Sequence, residues 1–370
     1  MMKHRFNILQ LACIASIFVF ASCSKDENTT PTYTVPTTYT FDNVDSLPAK
    51  TTLSMFTEME NLINTGNTAN TVVSSAKLGG MYANTGSYFT DTIFNGTTIN
   101  LNTSGVSLYG QTSSNAQAIV AGILDSVAVA SQSTSAASSG IAGVSSKKTL
   151  LTANGVYLRQ YFTKTLMGAV IGHLTCDVYL GDSLNSNISM AAKAHAWDQA
   201  FFLWCVPSNF PANRAKVKYW GSYTSQIDSG IAKPVASLTG INANPTLMNA
   251  FLKGRAALAN NDLVTAKAQA AIIIAKFEIM EAAATLHEIN EAKGNIINGA
   301  ATVCGNLSES FGFITALKLN THRTIASDAQ INSIIALYPS NFWNATQQDL
   351  DNIINAISAI YGWDAVKGNL

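Results

Sequence analysis

His195 and Asp198 stand three residues apart in the segment Ser189 to Trp204, whose apolar spacing predicts a helix. At that spacing both side chains leave one face, with Cβ atoms about 5–6 Å apart. An imidazole and a carboxylate so placed can share a metal ion, or the carboxylate can orient the imidazole. They can also satisfy each other between packed helices, and both readings stay open. A second set, Glu278, Glu281, His287, Glu288 and Glu291, lies in the long run from Leu263 to about Ile297. His287 and Glu291 share a face at i, i+4, and Glu281 and Glu288 share another. These residues complete a site with His195 only if the two helices pack together; ordinary helix-surface charge is the alternative. The candidate metal ligands are thus His195, Asp198, Glu281, His287 and Glu291. His173 and Asp177 form a further i, i+4 pair in an apolar helix, where a core histidine is expected.

Catalytic signatures are missing. His287-Glu288-Ile289-Asn290-Glu291 ends in Glu where a zinc-protease helix needs a second His. No Gly-x-Ser-x-Gly elbow or phosphate-binding glycine loop occurs. A metallohydrolase needs three converging ligands and an open position, and the sequence shows two neighbours. The expectation is a binding protein rather than an enzyme.

The elements that must position these residues are helices. Apolar stripes predict helices over Ala49–Thr65, Ala116–Ala130, Tyr157–Tyr179, Ser189–Trp204 and Thr246–Ala259. They continue over the long run from Leu263, then Ser308–Leu319, Asp328–Tyr338 and Thr346–Tyr361. Asn95-Gly96 between β-formers predicts a small hairpin or ordered loop, and Ser131–Ser146 an exposed loop. The expected fold is all-α, an antiparallel helical bundle or two fused bundles, over residues 39–370.

The 370 residues carry 22 basic and 22 acidic side chains, only 12% charged in all, with no basic stripe. Nucleic acid is therefore not an expected partner. Lys3-His4-Arg5, then the apolar Ile8 to Phe20, then Ala21-Ser22-Cys23, have the architecture of a secretory signal peptide over residues 1–22. Phe20-Ala21-Ser22-Cys23 resembles a lipobox, which makes Cys23 the lipidated residue and 23–38 a polar tether to the membrane. Ser24-Lys25-Asp26-Glu27-Asn28 resembles the surface-export signal of Bacteroidetes lipoproteins. It implies an outer-membrane lipoprotein on the cell surface, the periplasmic face being the alternative. Cys176, Cys205 and Cys304 remain; one disulfide or three thiols both fit.

Several segments resemble a bacteroidete lipoprotein family catalogued as domain of unknown function 4856. They are Tyr39-Thr40-Phe41-Asp42-Asn43-Val44, His195-Ala196-Trp197-Asp198-Gln199-Ala200-Phe201 and Ala250-Phe251-Leu252-Lys253-Gly254-Arg255-Ala256-Ala257. Asn290-Glu291-Ala292-Lys293, Leu307-Ser308-Glu309-Ser310-Phe311-Gly312-Phe313-Ile314 and Ile360-Tyr361-Gly362 follow in order. Asp198, Arg255 and Glu309 lie in these segments and join His195 as candidate ligand-binding residues. A buried Arg255 paired with one of the carboxylates is expected, with fold stability as the plainer role. More distantly the family is similar to imelysin-like proteins, helical proteins associated with iron uptake, marked by Gly-x-His-x-x-Glu. Lys193-Ala194-His195-Ala196-Trp197-Asp198 keeps the His and a carboxylate but has Lys for Gly and Asp for Glu. That resemblance implies a ligand such as iron, haem or another metal, and outer-membrane uptake components as partners. A non-catalytic scaffold or accessory surface protein is the alternative.

Overall fold

Apolar residues recur every three to four positions along most of the chain, and burying such stripes against one another gives an all-α body. A computed structural model describes residues 33–94, 96–229 and 240–370. The signal peptide, Cys23 and the tether as far as residue 32 lie outside the described residues. Chain contacts divide the protein into residues 1–34 and Val35–Leu370, and every element below belongs to the second unit.

Helix α1 (Leu47–Thr65) has Pro48 in its first turn and buries Leu53, Phe56, Met59 and Ile63 along the expected stripe. Then come α2 (Ser75–Ala83) and an antiparallel hairpin of β1 (Thr92–Phe94) and β2 (Thr97–Ile99). Of the Asn-Gly turn signal, Asn95 lies outside the described residues. Next are α3 (Leu108–Gln111), α4 (Gln117–Ala130) and the two-residue strands β3 (Gly143–Val144) and β4 (Leu150–Leu151). Helix α5 (Leu158–Leu166) runs on into two π-helical stretches, Met167–Gly172 and Leu174–Asp182, and the short α6 (Ser183–Asn185). Helix α7 (Met190–Leu203), capped by Ser189, carries His195 and Asp198. Helices α8 (Tyr219–Ser229), α9 (Ala243–Ala259), α10 (Leu263–Gly294), α11 (Ala300–Leu319), α12 (Asp328–Ile335) and α13 (Gln347–Tyr361) complete the body.

Helix α10, 32 residues and about 48 Å long, is the axis. Its first half buries one stripe, Ala266, Ala270, Ile273 and Phe277. From Met280 to Ile289 every side chain is buried, charged ones included. It packs most extensively against α9 and α11. Tyr157–Tyr179 was expected as regular helix; the switch to π geometry at Met167 follows the glycines. A Cβ on Gly168 would sit 2.4 Å from the Ala316 Cβ, so the wide turn and the bare glycine let α11 approach. No helix among the described residues is long and apolar enough to cross a membrane. Cys176, Cys205 and Cys304 are free thiols.

Candidate ligand cleft

His195 and Asp198 share a helix face in spacing but not in environment. His195 is exposed and lines a shallow hollow of about 530 Å³ with Arg255. Asp198 is fully buried. Its Oδ1 accepts from the Tyr39 hydroxyl at 2.7 Å and from Arg255 Nε at 2.8 Å, and Arg255 Nη2 lies 3.4 Å from Oδ2. Arg255 also donates to the Asp42 carbonyl at 3.2 Å and lies over the Phe41 ring. The Tyr39 ring stacks on Phe201 at 3.6 Å. Gln199 accepts from Ala49 N and donates to the Asp45 carbonyl, fastening the start of α1. The first two family-like segments and Arg255 therefore form a strap that pins residues 39–49 across α7 and α9. Asp198 and Arg255 satisfy each other, as the plainer reading had it, so neither offers free ligating capacity to a metal.

The candidate ligands on α10 are dispersed. Glu278 accepts from the backbone N–H groups of Thr324, Ile325 and Ala326 and from the Tyr361 hydroxyl, which makes it the anchor of a loop. Glu281 faces a cavity only large enough for about one water, beside His173, Cys176, Asp177 and His322. That cavity shares no residue with the hollow at His195. His287 is buried and Glu291 half-exposed. The reason is packing: α7 lies chiefly on α9 and on the π stretch Leu174–Asp182. Among the described residues no group of three or more His, Cys, Asp or Glu side chains is placed to hold a metal ion.

His173, expected in the core, is instead partly exposed and joins a polar chain. Asp177 takes His173 Nδ1 on one oxygen and His322 Nε2 on the other, both at 2.5 Å. The two histidines hold the Asp177 carboxyl well below the carboxylate range, despite its partial burial, and Asp177 raises His322. Burial pushes Glu281 up to about 8.

Glu288 and Glu309 do come together. Glu309 accepts from Gln160 Nε2 at 2.6 Å and from the Tyr223 hydroxyl at 2.8 Å, with Lys164 Nζ at 3.2 Å. The same hydroxyl lies 3.2 Å from Glu288 Oε1, while Asn306 Nδ2 donates to Glu288 Oε2. One phenolic proton cannot serve two carboxylates. Burial and the nearby Glu309 charge push Glu288 up to about 8, so at neutral pH it carries its own proton. The consistent chain is Glu288 carboxyl to Tyr223 hydroxyl to Glu309 carboxylate, with Lys164 neutralising the far end. The ammonium of Lys164 also sits 5.1 Å from the Tyr223 ring centroid.

Lys164 and Tyr223 form the floor of a cleft of about 450 Å³ between α1, α5 and α8. On its walls Arg159 Nη2 pairs with Glu60 at 2.7 Å, and the Tyr219 hydroxyl meets Thr57 Oγ1 at 2.9 Å. Three residues lining the cleft each hold a polar atom that is shielded from solvent and finds no partner among the described residues: Arg159 Nε, Thr163 Oγ1 and Gln226 Oε1. Such atoms are rare in folded proteins and cost about 1–3 kcal/mol each. A second hollow, about 640 Å³, adjoins it and shares Thr57, Lys218 and Tyr219. Three non-glycine residues around this hollow have positive φ: Cys205 at 62°, Lys216 at 62° and Tyr219 at 47°. For a residue as bulky as Tyr219 that geometry is strained by about 1–3 kcal/mol, and such strain concentrates at functional sites.

None of the residues lining the cleft was singled out in the sequence; Glu309 and Glu288, which were, lie behind its floor on Tyr223 and Lys164. Arg159 and Lys164 carry a usable signal, two of the three charges inside the apolar-rich run Tyr157–Tyr179. Thr163, Tyr219 and Gln226 carry none, and two separate helices, α5 and α8, bring these residues together.

Residues 36–364 match the model of a family described as Domain of unknown function (DUF4856). No curated protein and no solved structure matches the chain.

Proposed function

The chain belongs to the DUF4856 family, whose description assigns no activity, so function has to be argued from the site; we propose a non-enzymatic lipoprotein that captures a small polar ligand for uptake. The cleft between α1, α5 and α8 is the binding site in this reading. The observation that carries it is one cavity of about 450 Å³ three of whose lining residues, Arg159, Thr163 and Gln226, each hold a shielded polar atom with no partner among the described residues. A cavity with a few fixed polar groups is the general form of a small-molecule site. Anchoring through Cys23 to the outer membrane of a bacteroidete, facing the cell surface, is supported by the sequence pattern of residues 1–28. The distant likeness to imelysin-like proteins supports uptake as the setting, with outer-membrane uptake components as partners. It lends less to iron, haem or another metal as the ligand, because the residues that carry it are an exposed His195 and an Asp198 committed to Arg255.

The test is a thermal-shift screen of the detergent-solubilised full chain against sugars, sugar acids, amino acids, nucleotides, haemin, iron and zinc. The expected result is a rise of several degrees with one polar organic class, abolished by Thr163→Val with Gln226→Leu and kept in His195→Ala. Stoichiometric iron or haem lost in His195→Ala would move the site to α7. No stabilising ligand at all would favour the scaffold reading.

A further inference from the structure

Positive charge is concentrated around the cleft in a chain that has none to spare overall. Whole-chain charge is zero, from 22 basic and 22 acidic residues. Around the cleft and the adjoining hollow stand Lys50, Arg159, Lys164, Lys216 and Lys218. Facing them are Glu58 and Glu60 on the walls and Glu309 behind Lys164, five positive charges against three. Arg159 and Lys164 are neutralised by Glu60 and Glu309. Lys216 and Lys218 have no carboxylate partner among the described residues. Lys218 sits on the wall common to both spaces, at the entry to α8, whose N-terminal end adds the partial positive charge of its free N–H groups. A concave site of one sign concentrates ligands of the other.

The unpartnered atoms specify the rest of the ligand. Gln226 Oε1 is an acceptor and requires a donor, which a bare anion such as sulfate lacks at neutral pH. Arg159 Nε is a donor and requires an acceptor. Thr163 Oγ1, in a side chain only 2% exposed, takes either. Tyr219 and Tyr223 also line the cleft.

We propose that the cleft binds a hydroxylated organic anion, the chemistry of an acidic sugar, with its anionic group at Lys218 and Arg159 and its hydroxyls at Gln226 and Thr163. The proposal rests on the reading of this cleft as the ligand site. A carboxylate and a phosphate ester both supply that chemistry, and the experiment separates them.

Isothermal titration of the full chain in detergent would use four probes: glucuronate, glucose 6-phosphate, glucose and inorganic sulfate. Glucuronate or glucose 6-phosphate is expected to bind saturably, and at least tenfold more tightly than glucose. Raising salt from 0.05 M to 0.5 M should weaken it severalfold, as the screening length shrinks from about 14 Å to about 4 Å. Lys218→Ala, an unpaired side chain whose loss threatens no packing, should weaken it about tenfold, the scale of one charge-assisted hydrogen bond. Gln226→Leu should weaken both sugar anions and leave inorganic sulfate unchanged. Whichever sugar anion binds more tightly identifies the acid. Glucose binding as tightly as the anions, or Lys218→Ala binding unchanged, overturns the proposal while leaving the cleft as a site. Inorganic sulfate binding as tightly as the better sugar anion overturns the hydroxyl half. Heat from none of the four, with a ligand of another class found in the thermal screen, overturns the proposal and spares the functional reading. Failure in both removes the two together.

Discussion

Burying the Asp198 carboxylate costs several kcal/mol of hydration, and Arg255 and Tyr39 offset it with hydrogen bonds. Removing the acid alone leaves a guanidinium buried without its partner. Asp198→Ala should therefore lose about 3–5 kcal/mol in urea unfolding, and a loss below about 1 kcal/mol would contradict the strap. The acids of α10 have a different pH signature. Glu281 and Glu288 titrate at about 8 when folded against 4.5 for a free glutamate. Their contribution is complete below the unfolded value and is lost as pH rises toward 8. His322, raised by Asp177, acts in the same direction: its contribution is present at low pH and lost as pH climbs through its folded value. Asp177, held low, is the opposite case, and its contribution is lost only as pH falls below the ordinary aspartate value. Melting temperature should thus be highest in mild acid and fall toward pH 9. Glu281→Gln, which keeps an acceptor for Asn320, should flatten that fall. A melting temperature that rises steadily from pH 5 to pH 9 would contradict this assignment.

Elements with one clear apolar stripe were legible in the sequence: α1, α4, α7, α9, α10 and α13 lie within a few residues of expectation. Two were not. α2 contains Gly79 and Gly80, and α8 is largely Ser, Thr, Gln and Tyr around Gly221. Gly221 is required by approach rather than propensity, since a Cβ there would meet the Cys205 carbonyl oxygen at 2.7 Å. Helix α11 begins at Ala300 rather than Ser308, behind Gly299 at φ 94°, because packing on α10 carries a weak first turn. The pairing of Arg255 with a carboxylate was expected from the resemblance, because Asp198, Glu309 and Arg255 lie in the family-like segments. The cleft was not, because periodicity tells which face of a helix is buried and not which helices face each other. The tightest contact between elements is testable. Gly254 on α9 lies under Trp197 on α7, where a Cβ would stand 2.1 Å from the indole. Trp197 is also fixed by its Nε1 bond to the Phe251 carbonyl, so it has little room to move. Gly254→Ala should cost about 1–3 kcal/mol or more, by the ordinary scale of overpacking. An unchanged melting temperature would show that the α7–α9 contact yields.

At the scale of the whole molecule, the low charge content and zero net charge make the local excess around the cleft stand out. The proposed anchor is testable at the same scale. Cys23→Ala should shift the protein from the membrane to the soluble fraction of cells, with folding unchanged, and retention in the membrane would contradict lipidation at Cys23. The central claim is that the space between α1, α5 and α8 is where a ligand sits. Hydrogen–deuterium exchange, with and without the best ligand of the thermal screen, tests it most directly. Protection confined to residues 57–61, 157–167 and 216–226 is the predicted result. Protection centred on residues 190–195 and 255–261, around the hollow at His195, would contradict it.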